Sequence, residues 1–463
     1  MQKKYARIIF LVKKIVKFIF CFNFELLIFT NSEKKLTQIY IMRKLLSLTL
    51  LALAGSTAFA GGYRVSIQGQ KQLAMGHTGV AVVNSAEVAF FNPAGMAYLD
   101  KKFNFSFGGN ALFAKTKFQN SQYNWQASTE NLGTPFSLYA TYKVNNWLTA
   151  GLAVYTPYGS SVEWDQDWQG AHLVNNIDLQ AIFVQPTVSI RVGEHFSVGG
   201  GPIFATGSVN FNRNVATNPL LSVNGSGTDV TLDAKGITAW GYTAGFMFNP
   251  SKKLRIGMNY RSEIIMEARD GAANFNDVPA FASTTPTLQN TTFNADLPLP
   301  AELTVGLSYK ITDKWLFAFD YNRAMWSVYE ALKVDFLNAD GSAIRNTSNN
   351  PRNYKNASTY RLGTQYVAND KFTFRAGWYF DESPVQDGYF APETPRNDSM
   401  GYTGGITYQV NNKLGIDFSF LYLHFDETDN SYNHYSENGN ILPFGGTYKS
   451  SVFSPGIGIT YGF

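Results

Sequence analysis

From residue 103 onward the chain alternates apolar and polar positions one by one. Phe103, Phe105 and Phe107 are separated by Asn104 and Ser106. Phe372, Phe374, Ala376, Trp378 and Phe380 are separated by Thr373, Arg375, Gly377 and Tyr379. Leu414, Ile416, Phe418, Phe420 and Tyr422 are separated by Gly415, Asp417, Ser419 and Leu421. A period of two predicts strands with one apolar face and one polar or small face. In a soluble sandwich the apolar face points to a shared core, whereas in an outer-membrane barrel it points to lipid.

The turns decide between these. Six short turns recur, at Asn145-Asn146-Trp147, Glu194-His195-Phe196, Ser251-Lys252-Lys253-Leu254, Asp313-Lys314-Trp315, Asp370-Lys371-Phe372 and Asn412-Lys413-Leu414. Each is a polar turn followed by an aromatic residue or leucine, and their first residues lie 42 to 62 apart. Each interval therefore holds one ascending and one descending strand around a longer connection, such as 270–298, 336–352, 382–396 and 429–447. Short turns on one side with long loops on the other mark a bacterial outer-membrane barrel, and the landing aromatics fit a periplasmic interfacial girdle. Six turns imply seven hairpins, hence an all-β, fourteen-stranded antiparallel transmembrane barrel over 103–463. Its last strand alternates Ile457, Ile459, Tyr461 and Phe463 with Gly458, Thr460 and Gly462. The terminal Phe463 resembles the signal read by the barrel-assembly machinery. The continuous lipid face around the hairpins favours a monomer among outer-membrane lipid and lipopolysaccharide.

Residues 61–102 alternate poorly, are Gly-rich and precede the first strand. A barrel of fourteen strands leaves a lumen that needs filling, so this segment reads as an N-terminal hatch, or plug. A general diffusion porin, the alternative transport class, would not need it.

Composition agrees with a barrel. The 463 residues are 45% hydrophobic and 15% aromatic but only 16% charged, against about a quarter charged in ordinary soluble chains. Met42-Arg43-Lys44, the apolar run Leu45–Ala54 and Ala58-Phe59-Ala60 have the three parts of a secretory signal peptide over 42–60. Residues 1–41 precede it and read as an upstream extension, with Met42 the true start. Residues 1–60 hold ten basic and two acidic residues, leaving 28 basic and 32 acidic in the remainder. The net charge of that remainder is −4, so the basic-protein argument for nucleic acid fails. Cys21, the one cysteine, excludes a disulfide scaffold and a cysteine-ligated metal. The five histidines show no metal spacing, and no G-x-S-x-G occurs, so neither an enzyme nor a cofactor is expected. A lipid-modifying outer-membrane enzyme is the remote alternative.

The run from Gly61 through Asn92-Pro93-Ala94 to Lys102 resembles the hatch of FadL-type outer-membrane transporters of long-chain fatty acids and other hydrophobic compounds. The resemblance continues in Tyr155-Thr156-Pro157-Tyr158-Gly159 with Glu163-Trp164, in Thr359-Tyr360-Arg361-Leu362-Gly363, and in Phe374-Arg375-Ala376-Gly377 with Asp381-Glu382-Ser383-Pro384-Val385. It implies capture between outer loops, transfer to a pocket inside the barrel, and lateral release at a kink in the third strand beside the hatch. Here that strand is expected at Trp147–Tyr158, with Gly151 and Pro157 as its weak points, and Asn92, Pro93 and Ala94 are expected to hold the hatch against the opening. Tyr63 and Val65 are expected at the pocket. Arg352 and Lys355, near the outer end of the tenth strand, are the candidates for a carboxylate headgroup. Asp320, Arg361, Arg375 and Asp417 on polar strand faces are expected to pair with one another and stiffen the wall. Leu220 and Leu221 in the third loop, and Phe275, Phe281 and Phe293 in the fourth, could form an outer greasy groove or simply pack the loops. A fatty acid is preferred over an aromatic hydrocarbon because of the basic candidates.

Overall fold

The structure, a computed structural model, describes residues 63–463 apart from 166–167, 217–221, 224–225, 343 and 438. The expected upstream extension (1–41) and signal peptide (42–60) lie outside the described residues, as do Gly61 and Gly62.

Fourteen antiparallel strands close into one barrel. They are β1 (Phe103–Asn110, resuming at Leu112–Asn120), β2 (Trp125–Gly133 and Phe136–Lys143), β3 (Leu148–Glu163), β4 (Asn176–Val192), β5 (Phe196–Asn214), β6 (Asp229–Phe248) and β7 (Leu254–Arg261 and Ile264–Asn276). Then follow β8 (Thr291–Leu299 and Glu302–Lys310), β9 (Trp315–Ala324 and Ala331–Leu337), β10 (Ile344–Pro351 and Ala357–Val367), β11 (Phe372–Asp381), β12 (Ser399–Gln409), β13 (Leu414–Phe425 and Thr428–Tyr432) and β14 (Phe444–Gly462). Closure is made by β1 against β14, from Asn104 opposite Gly462 to Asn110 opposite Gly456. All six expected short turns connect strands at one end. The aromatics that land from them, Trp147, Phe196, Trp315 and Phe372, are exposed on the outer wall, where an interfacial ring belongs.

The inward faces form two tiers, a division that alternation alone does not reveal. On β4 the inward residues near the short turns are Gln185, Thr187 and Ser189, whereas further up they are Leu179, Ala181 and Phe183, all buried. On β5 Ser197 gives way in the same direction to Ile203, Ala205 and Phe211. The lower lumen is thus polar and glycine-rich, and the upper lumen is apolar.

The hatch fills the lower tier. It contains two single-turn helices, α1 (Gln70–Leu73) and α2 (Val88–Phe91), and a 3-10 helix (Pro93–Tyr98). So little regular structure leaves many backbone groups to be satisfied from elsewhere. The Glu87 carboxylate accepts from the backbone N–H groups of Gln70 (3.1 Å), Lys71 (3.2 Å) and Gln72 (3.3 Å) at the start of α1. Asp320 on β9 accepts from the Gly79 and Val80 N–H groups at 2.7 and 3.1 Å. Ser189 and Ser197 donate to the Ala94 carbonyl at 2.9 and 2.7 Å. Wall glycines let hatch backbone and wall touch: an added Cβ would overlap the Gly76 nitrogen at Gly377 and the Val80 carbonyl at Gly257.

The wall is interrupted beside the hatch. β2 and β3 pair from Lys143 opposite Thr149 up to Ser137 opposite Tyr155, and the ladder stops there. Against β4, the register of β3 shifts between Tyr155 and Tyr158, a bulge that carries Pro157, which has no N–H to donate. The third strand therefore runs further than expected, to Glu163, with Pro157 inside it. Hatch backbone replaces the missing neighbour: Val65 N–H donates to the Pro157 carbonyl at 2.8 Å, and Gly159 N–H donates to the Tyr63 carbonyl at 2.9 Å.

Because Gly377 meets hatch backbone, Gly377→Ala should lower the thermal unfolding midpoint of the barrel, by the order of the 1–3 kcal/mol that overpacking costs. Gly109→Ala, whose Cβ would find its nearest neighbour at 3.7 Å, should leave the midpoint unchanged or raise it. Equal midpoints for the two variants would show that the hatch does not press on the wall.

Candidate functional site

The upper tier encloses an apolar chamber of about 940 Å³. Its walls are the inward residues of β4 to β9, among them Leu179, Phe211, Leu232, Met266, Leu297 and Val334. Tyr63 and Tyr158 stand at its lower end. The Tyr63 hydroxyl donates to the Pro298 carbonyl, and its ring meets Trp326 edge-on at 4.9 Å and Tyr329 at 5.6 Å. Those two aromatics come from an inward excursion of the chain between the two segments of β9, and Tyr354, between the two segments of β10, packs on both, at 5.9 and 5.1 Å.

Above the chamber lies a throat of about 480 Å³, which shares Phe211, Leu232, Leu332, Val334 and Glu393 with it. A wider vestibule of about 1210 Å³ follows, bordered by Phe275, Leu288, Phe336 and Tyr435. Arg213, near the end of β5, lines both throat and vestibule. It donates to the His172 carbonyl at 3.0 Å and, among the described residues, has no carboxylate partner. Arg352 is buried in the throat, ion-paired with Glu393 and stacked over Tyr432 at 5.0 Å. Glu393 belongs to the 382–398 connection, which spans the lumen: Trp164 Nε1 donates to the Pro392 carbonyl at 3.2 Å and Ser450 Oγ to the Pro395 carbonyl at 3.0 Å.

Below the chamber the hatch is anchored by Arg64. Its guanidinium reaches Glu302 (3.2 Å), Asn322 (2.7 Å), Thr359 (2.9 Å) and Asp381 (2.9 Å), on β8, β9, β10 and β11. Breaking a buried pair of this kind costs about 3–5 kcal/mol, because the partner charge stays buried.

The outer membrane protein transport protein family (OMPP1/FadL/TodX) matches residues 51–463. The chain belongs to this family. An outer membrane protein of Neisseria meningitidis serogroup B is 24% identical, over 91% of this chain and 99% of its own. A long-chain fatty acid transport protein of Escherichia coli O6:H1 is 22% identical, over 81% and 89%. The crystal structure of a Pseudomonas aeruginosa FadL homologue shares the fold with a TM-score of 0.76 at 20% identity, covering 87% of this chain and 100% of that one. As a FadL/TodX member the protein is an outer-membrane barrel that transports hydrophobic compounds.

The expected site residues fall in different places. Tyr63 borders the chamber, and Val65 lies under it, bonded to Pro157. Pro157 sits in the bulge of β3. Gly151 is not a break: it pairs in register with Thr141 and Thr187, and its missing side chain leaves room for Met96. Asn92, Pro93 and Ala94 meet β4 to β7 rather than the interruption. Asn92 Nδ2 donates to the Val80 and Phe246 carbonyls at 2.8 and 2.9 Å, and its Oδ1 accepts from Ala94 N–H, capping the 3-10 helix. Lys355 is exposed and borders none of these cavities, whereas Arg352 and Tyr354 beside it are buried. Asp320, Arg361, Arg375 and Asp417 form no ion pairs with one another: Asp320 holds hatch amides, and Arg375 reaches Thr407 at 2.6 Å, which in turn bonds Asp417. Phe275 and Phe293 lie in strands, at the vestibule and chamber, while Phe281 faces out, 74% exposed. Leu220 and Leu221 lie outside the described residues as side chains. Sequence reading missed Arg64 and Arg213. Arg64 had a signal, a lone charge in an otherwise small and apolar opening of the hatch.

His172, in the connection after β3, packs on Tyr435 and Phe444 at 4.6 and 5.5 Å. Burial, and then Arg213, pull its imidazole from 6.5 down to about 4. Folding thus favours the neutral ring, so the cluster keeps its full stability above pH 6.5 and loses it as pH falls towards 4. Fluorescence of the neighbouring Trp164–Trp168 stack, with ring centroids 4.3 Å apart, should change across that window. In His172→Phe the change should be much smaller, and an identical titration would remove the assignment.

Proposed function

We propose that this barrel takes up long-chain fatty acids, held by the tail in the apolar chamber and by the carboxylate at Arg213, and releases them sideways through the seam between β2 and β3. The observation that carries the reading is the placement of one apolar chamber between a cation without an acidic partner above and the interrupted wall below. Burial of each methylene contributes about 0.8 kcal/mol, so a long chain gains affinity that an open aqueous channel could not offer. Guanidinium is the side chain best matched to a carboxylate, by charge and by its fork of donors. Arg352 is less suited, because Glu393 already occupies it.

Release needs a gap in the wall and a way to satisfy the backbone around it. Above Tyr155, β2 keeps only β1 as its ladder partner and β3 keeps only β4. The hatch strip Tyr63–Val65 covers the seam from inside, and Tyr63 also touches the chamber. Movement of that strip would join chamber and seam in one step. The names of relatives support the substrate class, since one is a long-chain fatty acid transport protein.

Arg213→Gln should weaken oleate binding to the purified barrel about tenfold or more, the scale of one charge-assisted contact, and leave an uncharged aromatic hydrocarbon unaffected. Hydrocarbon binding without oleate binding would move the substrate to the aromatic class. Binding of neither, with ion conductance in planar bilayers, would favour a diffusion porin. For the exit, Glu163 N–H lies 3.3 Å from Thr129 Oγ1 across the seam, so the pair Thr129→Cys and Glu163→Cys should close it when oxidised. Uptake should then stop and return on reduction while oleate binding persists; uninterrupted uptake by the oxidised pair would refute lateral release here.

A further inference from the structure

The hatch segment Tyr63–Val65 and the stretch Pro157–Gly159 of β3, bonded to each other through their backbones, form a partition. Tyr63 and Tyr158 face the chamber, whereas Arg64, Val65 and Pro157 line a second, small void beneath it. This lower void is charged, with Arg64, Arg261 and Arg361 on its surface and Glu302 the one carboxylate among them.

The acidic groups near it are held by other partners through one oxygen each or more, while Asp320 Oδ1 and Asp381 Oδ2 make no hydrogen bond among the described residues. Glu302 accepts from Arg64 at 3.2 Å, Tyr158 at 3.1 Å and Asn322 at 3.1 Å. Asp381 accepts from Arg64 at 2.9 Å and Thr359 at 2.5 Å. Asp320, directly opposite Arg361 in the β9–β10 register, gives Oδ2 to the hatch amides and turns Oδ1 towards Gly306. Arg361 is left over. It is only 5% exposed, lines the void, and makes no hydrogen bond or ion pair among the described residues. Arg261 donates to the Phe90 carbonyl at 3.2 Å and lies over the Phe90 and Tyr155 rings at 4.5 and 5.7 Å, while its Nε has no partner among the described residues. A buried guanidinium without a hydrogen-bond acceptor, as at Arg361, carries a desolvation cost. Arg361 and Arg261 border one void, and guanidinium groups hold carboxylates through a fork of donors.

We propose that the void beneath the partition is an anion site formed by Arg361 and Arg261, and that the ligand's carboxylate lodges there between the chamber and the interruption of β3. The transit role rests on the fatty-acid reading above; the anion site itself does not. Pro157 borders the void, so an anion held there lies next to the seam. An uncharged hydrocarbon would gain nothing from this station.

Two arms test the proposal on the mature, full-length barrel. Crystals soaked in sodium bromide should show an anomalous peak between Arg361 and Arg261, absent in Arg361→Gln; no peak in the wild type would overturn the anion site. In proteoliposomes, Arg361→Gln should slow oleate uptake about tenfold or more while oleyl alcohol uptake is unchanged, on the scale of a lost charge-assisted contact, and Arg361→Lys should recover part of it. Heat-modifiable gel mobility checks that each variant is folded. Equal slowing of both substrates would mean a structural role and overturn the transit step. A bromide peak with unaltered oleate uptake would mean a site for free small anions and overturn it equally. If the wild type takes up no oleate at all, the fatty-acid reading fails, and the bromide arm still decides the site.

Discussion

Inside a bilayer every backbone N–H and C=O must find a partner within the protein, and the arrangement of this molecule follows from how that demand is met at one place. β3 leaves β2 after Tyr155 and carries Pro157 in a bulge. The carbonyl of Pro157 and the N–H of Gly159 would be orphans at membrane depth, and Val65 and Tyr63 of the hatch satisfy them. The hatch is therefore part of the wall. Tyr63 belongs both to the strip that bonds to β3 and to the floor of the chamber.

Arg64 sets how firmly that strip is held. Four strands contribute acceptors to one guanidinium, which makes its position cooperative. The carboxylates that pair with Arg64 form no ion pair with Arg361 among the described residues. The same economy of acceptors recurs at the top of the lumen, where Glu393 binds Arg352 and leaves Arg213 with neutral partners only. In a lumen of low dielectric, which cations are paired and which are not decides where an anion can rest.

The two-tier lumen separates two tasks that need opposite chemistry. A plug with only two helical turns needs polar walls and glycines so that backbone can bond to backbone, and Ser189, Ser197, Asp320, Gly257 and Gly377 supply them. A greasy ligand needs apolar walls without competing donors, and Leu179, Phe211, Leu232 and Met266 supply those. Both sets lie on the inward faces of strands whose outward faces meet lipid.

Strand periodicity, six short turns and the closing aromatic strand were local properties, because alternation and turn chemistry act over a few residues. They set the strand number, the orientation of the wall and the place of the hatch in the chain. The resemblance of the Asn92-Pro93-Ala94 run and of Thr359–Gly363 pointed to the FadL/TodX family. Which buried charge meets which was not legible. Asp320 and Arg361 sit opposite each other in the register, yet Asp320 bonds to hatch amides far away in the sequence. Lys355 and Arg352 are three positions apart, and only Arg352 faces the lumen, because burial alternates from residue to residue over 352–355. The sequence by itself determined a hatch-filled, fourteen-stranded outer-membrane barrel. Only the tertiary structure decided which cations are left without a carboxylate, because pairing depends on residues brought together from strands hundreds of positions apart.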